Sequence, residues 1–141
     1  MIGQTISHYK ILAKLSEDGT GILYRAVDTE VDRAVAIKVL SAGILASPER
    51  RQRLEHSAKA ASGLEHPNIA RLHEFVHADG AGFVVLDAPE GESLYDFLDR
   101  ERPRRRDLVR FARQMARALA AAHGAGIILY PVDGDHTTMV Q

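Results

Sequence analysis

The chain has 141 residues, 45% of them hydrophobic and 26% charged, with a formal net charge of −1. That is enough chain for one domain with its own core, and the balanced charge gives no overall pull toward nucleic acid or an anionic membrane. Cysteine is absent and the seven histidines are scattered, which excludes disulfides and thiolate metal sites and gives no metal-ligand spacing. No apolar run reaches membrane-spanning length and the start lacks a secretory pattern, so a cytoplasmic protein without a membrane partner is expected.

Residues 1–7 read as a short lead-in. From Tyr9 the apolar positions Tyr9, Ile11, Leu12 and Leu15 follow a largely strand-like pattern, and Gly21 to Val27 predicts a second strand. Asp18-Gly19 between them suits a tight hairpin turn, because both residue types tolerate positive φ. Polar Asp28 to Arg33 forms the next turn. It leads into Ala34 to Leu40, Ala-Val-Ala-Ile-Lys-Val-Leu, a β-favouring run with Lys38 at its centre. Burying a lysine is costly, so Lys38 either lies on the solvent face of an edge strand or is kept for its charge.

Ser47-Pro48-Glu49 has the chemistry of a helix start. Serine can cap free amides, proline suits the first helical position, and the glutamate complements the positive end of the helix dipole. The helix is expected to run to about Gly63, with Leu54, Ala58, Ala61 and Leu64 facing a sheet and Arg50, Arg51, Arg53 and Lys59 solvated. His66-Pro67-Asn68-Ile69 turns the chain. Two further strands are predicted near Leu72 to His77 and Gly82 to Leu86.

Beyond Ala88-Pro89-Glu90-Gly91 the pattern becomes helical, first from Ser93 to about Arg100 and then from Asp107 to about His123. The second helix carries Leu108, Phe111, Ala112, Met115, Leu119 and Ala122 along one stripe. The basic run Arg100 to Arg106 between them has no interleaved aromatics. It reads as a solvated linker, and no nucleic-acid partner is expected.

In order and spacing these segments resemble the first part of a bacterial Ser/Thr protein kinase. The resemblance rests on the glycine-bearing turn, Ala36-Ile37-Lys38, His66-Pro67-Asn68-Ile69, Glu90-Gly91-Glu92-Ser93-Leu94 and Ala122-His123-Gly124-Ala125-Gly126-Ile127. It implies an α+β fold with a kinase-like N-lobe over 1–86, made of a five-stranded antiparallel sheet and one helix. A hinge over 87–92 and a partial C-lobe over 93–141 follow. It also implies a nucleotide site made of Lys38, Gly19, Gly21, Leu23, Ala36, Asp87 and Pro89, with Lys38 as the strand lysine that holds ATP phosphates.

Several positions depart from the family pattern. The G-x-G-x-x-G glycines fall on Ser16, Asp18 and Gly21, so one survives in register, with Gly19 as an additional one. Asp18 would place a negative charge near phosphate, at about 4 kcal/mol for like charges 4 Å apart at the effective dielectric near a protein surface. The helix glutamate that pairs the strand lysine falls on Ser57, which cannot form that ion pair; Glu55 lies two positions earlier, about 200° around the helix. With Leu86 as gatekeeper, the hinge amide falls on Pro89, which has no N–H.

The catalytic loop H-R-D-x-K-P-x-N falls on Leu129 to His136. The proton-accepting aspartate becomes Pro131, the phosphate-facing lysine becomes Asp133, and the metal-binding asparagine becomes His136, a poor ligand for hard magnesium. The chain ends at Gln141, before the D-F-G aspartate. The expectation is therefore a degenerate, truncated, pseudokinase-like module with no catalytic residue of its own and no metal site. It would require no cofactor and bind ATP weakly at most. An uncovered apolar stripe on the second C-terminal helix, including Phe111 and Met115, would favour self-association or a protein partner.

Overall fold

The alternating apolar residues from Tyr9 onward do become long antiparallel strands, and they curl around a common core. The computed structural model describes residues 1–78, 81–88, 90–127 and 139–140. In chain order the elements are β1 (Thr5–Ile6), β2 (Tyr9–Asp18), β3 (Gly21–Asp28), β4 (Arg33–Leu40), α1 (Ala42–Ala46), α2 (Pro48–Ser62), β5 (Leu72–Ala78), β6 (Ala81–Asp87), β7 (Glu92–Ser93), α3 (Leu94–Arg100), α4 (Arg105–Gly124) and β8 (Met139–Val140). The fold is α+β. Its main sheet runs β1-β2-β3-β4-β6-β5, and β7 pairs separately with β8.

The expected five strands and one helix of the first lobe are thus six strands and two helices. The additions, β1 and α1, are two and five residues long, too short to carry a hydrophobic period. β1 folds back on β2 through Ser7, whose φ of 54° makes the tight reversal. In α1, Leu45 is buried and belongs to the same apolar cluster as Leu40 and Val84. The expected edge position of Lys38 is also excluded: β4 lies inside the sheet, between β3 and β6.

The core sits on one face of the sheet. Ile11, Val35, Ile37 and Val85 are fully enclosed, with Tyr9, Tyr24, Ala26 and Phe83 around them. Tyr9 shows how strongly the sheet curls. Its ring meets Phe83 edge-on at 6.3 Å and its hydroxyl donates to Glu74 Oε2 at 2.7 Å, although β3 and β4 separate β2 from β6. Burial, and then the Glu74 carboxylate, hold the Tyr9 hydroxyl protonated well above the usual phenol range.

Two turns are locked together at the end of β3. Thr29 donates from both its backbone amide and its Oγ1 to the His8 carbonyl, at 2.9 and 2.8 Å. Buried Asp28 accepts the amides of Glu30 and Val31 through Oδ1. Its other oxygen lies 3.6 Å from His8 Nε2.

α2 follows its sequence signals closely. Ser47 Oγ accepts from the Arg50 amide, Pro48 opens the helix and Gly63 follows its last turn. Ala58 is buried, and Leu54, Ala61 and Leu64 are half-buried, as expected for the inward face. Arg50, Arg53 and Lys59 are exposed, while Arg51 is half-buried. α3 and α4 meet through Phe97 and Phe111, whose rings are perpendicular at 5.6 Å between centroids. This contact corrects the expectation for Phe111, which is buried, whereas Met115 remains 41% exposed with Leu108 and Leu119 beside it. Among the described residues no helix is long and apolar enough to cross a membrane.

Candidate functional site

Residues directly opposite one another in an antiparallel pair share a face, so the register places the candidate side chains. Lys38 lies opposite Leu23 on β3 and Val84 on β6, and Ala36 lies opposite Arg25 and Leu86. Leu23, Ala36, Lys38, Val84 and Leu86 therefore share the sheet face that lies away from the Ile37 core. Ala36 is 1% exposed, while Leu23, Lys38 and Leu86 are half-buried. The β5 and β6 end of this face is covered by Leu45 and Leu54 of α1 and α2. A half-buried lysine flanked by two apolar residues can present its ammonium beside the stretch of sheet that these helices leave uncovered.

The glycine-bearing turn closes one end of the same face. Its two turn residues are Gly19 and Thr20, because Asp18 already pairs with Gly21. The expected positive φ at Asp18-Gly19 is not found; Gly21 carries it instead, at 152°. The two glycines do different work. A Cβ on Gly21 would lie 2.9 Å from the Val39 carbonyl carbon and closer still to its oxygen, so the close approach of β3 to β4 demands glycine there. A Cβ on Gly19 would meet nothing within 4 Å. The turn is tied to the end of β4 by the Ser41 amide, which donates to the Thr20 carbonyl at 2.8 Å.

At the other end, Asp87 pairs with Val35 as the last residue of β6. Its carboxylate is 2.5 Å from His73 Nε2 and accepts the Arg71 amide at 3.3 Å, while its own amide donates to the Arg71 carbonyl at 2.9 Å. Asp87 is thereby anchored to the approach to β5, a device that no sequence motif signals. Arg100 of α3 pairs with Glu92 of β7, which holds the segment after Asp87 to α3.

The register unites Leu23, Ala36 and Lys38, with Gly21 at the glycine turn. It adds Val84 and Leu86, which motif matching does not single out but which their opposition to Lys38 and Ala36 identifies. Ser57 is exposed on α2. Pro89, Pro131, Asp133 and His136 lie outside the described residues. One metal-ligand combination occurs among the described residues: His8, Asp28 and Glu30 each bring a donor atom to within 4.8 Å of the others. It lies at the far end of β3 from Gly21, and its carboxylate also braces a turn.

The protein kinase domain family model matches residues 9–130. The chain belongs to this family. It is 38% identical over 130 residues to the Ser/Thr protein kinase pkn3 of Myxococcus xanthus, covering 90% of this chain and 24% of that protein. It is 32% identical over 134 residues to the Ser/Thr protein kinase PknA of Mycobacterium tuberculosis, covering 90% and 31% respectively. In fold it matches the crystal structure of the M. tuberculosis PknI kinase domain with a TM-score of 0.81 at 23% identity, over 94% of this chain and 56% of that one. The chain thus spans about a quarter to a third of the length of these curated relatives.

Proposed function

We propose that the chain is a protein-kinase-like module that works by binding or regulation and has no phosphoryl-transfer activity of its own. The observation that carries this reading is the residue set at the catalytic-loop positions, Pro131, Asp133 and His136. Pro131 has no group to take the proton of a substrate hydroxyl, Asp133 repels the transferred phosphate, and His136 suits magnesium poorly. Ser57, exposed on α2, supports it, since a hydroxyl cannot hold an ammonium as a carboxylate does.

A second reading is an ATP-binding kinase fragment, active only with parts supplied by more chain or by a partner. The placing of Lys38 between Leu23 and Val84 favours it. ATP would then lie against Leu23, Ala36 and Lys38 beneath the turn of Gly19 and Gly21, its adenine facing the Asp87 carbonyl. Asp18 and Pro89 would weaken that binding by repulsion and by the missing N–H.

One experiment separates the readings. Purified chain is incubated with magnesium and γ-labelled ATP, and its thermal stability is followed with ATP, with and without the metal. No label transfer is expected, even after Pro131→Asp and Ser57→Glu together, because Asp133 and His136 remain. A nucleotide at a hundred times its Kd stabilises a fold by about 2.7 kcal/mol, and the expected shift is well below this, abolished by Lys38→Ala and insensitive to magnesium. Label transfer by the unmodified chain overturns the first reading. An ATP affinity that Lys38→Ala leaves unchanged places any nucleotide elsewhere.

The module's partner surface is assigned to the bare apolar side of α4, where Leu108, Met115 and Leu119 are exposed. A closed two-fold pair of copies is the simplest arrangement that covers it. Light scattering at micromolar concentration is expected to report a dimer that Met115→Glu with Leu119→Glu dissociates. A monomer unaffected by both changes would remove this assignment.

A further inference from the structure

Charge in this chain is balanced overall but sharply divided along its length. Residues 100–117 contain eight arginines against Glu101 and Asp107, a net charge of +6 (8 − 2); the remaining residues therefore carry −7 (−1 − 6). The structure turns part of that excess into a straight row. Arg106, Arg110, Arg113 and Arg117 fall at helical spacing on one face of α4, and all four are exposed. A helix advances 1.5 Å per residue, so the row is about 16 Å long, with steps of roughly 6, 4.5 and 6 Å. Arg110 is stacked over the Phe111 ring at 5.1 Å and lies 3.9 Å from Asp107. No ion pair is recorded for Arg106, Arg113 or Arg117 among the described residues.

We propose that this row is a docking surface for an extended, acidic segment of another protein, with Asp or Glu at alternate positions. Alternate side chains of an extended strand are about 6.6 Å apart on one face, close to the spacing of the row. Each guanidinium presents a planar fork suited to a carboxylate. This chain cannot supply the segment itself, since its longest unbroken acidic run is Glu17-Asp18. A membrane surface fits less well. The row points about 170° away from Leu108, Met115 and Leu119, so the apolar side could not enter lipid with the arginines at the headgroups. Single-stranded nucleic acid fits less well too, because the row is lined by Val109 and Gln114 and by no exposed aromatic ring on which bases could stack. The surface is distinct from the apolar side of α4, so it stays available whether or not that side is covered.

The test is fluorescence polarisation with a labelled peptide alternating Glu and Ser over seven residues, titrated with the full chain at 0.05 and 0.15 M salt. Exposed charge pairs are worth about 0.2–1 kcal/mol each, so removing two by Arg113→Gln with Arg117→Gln is expected to weaken binding by roughly twofold to thirtyfold. Glutamine matches arginine in helix propensity, and unchanged circular dichroism checks that the fold survives. The same peptide with Gln for Glu is expected not to bind, and Arg50→Gln with Arg53→Gln on α2 is expected to leave binding unchanged. The proposal is overturned by no binding, by equal loss from the α2 pair, or by tighter, arginine-row-dependent binding of a DNA duplex or an anionic vesicle.

Discussion

A Gly21→Ala chain is expected to lose about 2–4 kcal/mol of folding stability, while Gly19→Ala costs less than about 1 kcal/mol. Both residues belong to one hairpin and both stand in the family's glycine-rich segment, so motif matching treats them alike. The structure separates them. At Gly21 a methyl group would be driven into the Val39 carbonyl at a φ that alanine rarely adopts, and relief requires moving β3 away from β4. At Gly19 the methyl would point into open space. Thermal unfolding by circular dichroism is expected to show the Gly21 variant melting about 10 °C below the Gly19 variant. Equal melting temperatures would mean that the strand approach at Val39 is easily relaxed.

The second large effect is expected one residue away from the candidate site. Ile37→Ala removes three carbons from a side chain that is 0% exposed, among Tyr24, Val35 and Val85. Truncations of this kind cost about 2–5 kcal/mol, the lost transfer energy plus the cavity. Lys38→Ala, on the opposite face of the same strand, is expected to change stability by about 1 kcal/mol or less. Urea unfolding of the two variants reads the faces of β4 directly. If Lys38→Ala destabilised as much as Ile37→Ala, the lysine would be part of the packing and not held ready for a ligand.

Much of this fold is legible in the sequence because the signals are local and chemical. Ser47-Pro48 and Gly63 bracket α2, the apolar residues around Ile37 mark β4, and the stripe from Leu108 to Ala122 marks α4. Where only two or five residues form an element, as in β1 and α1, no period exists to be read. Long-range geometry is harder still. Nothing near Phe111 in the chain reveals that Phe97 covers it, so both Phe111 and Met115 read as exposed although only Met115 is. The candidate site was legible as a set of positions, since Lys38, Leu23 and Ala36 lie on strands whose register is regular. The anchoring of Asp87 by His73 was not, because it joins two strands across a sheet order that sequence leaves undetermined.

The contact of Tyr9 with Glu74 and Phe83 also bears on how the lobe assembles. Tyr9 and Glu74 are 65 residues apart in sequence, whereas the β2–β3 and β3–β4 pairings are hairpins between neighbours. Closing a long loop costs entropy before any contact repays it. The hairpins therefore form first and the seam between β2 and the β5–β6 pair forms last, after β4 has recruited β6. The final step of folding in this lobe is the meeting of its two ends, and the first step of its unfolding is their parting.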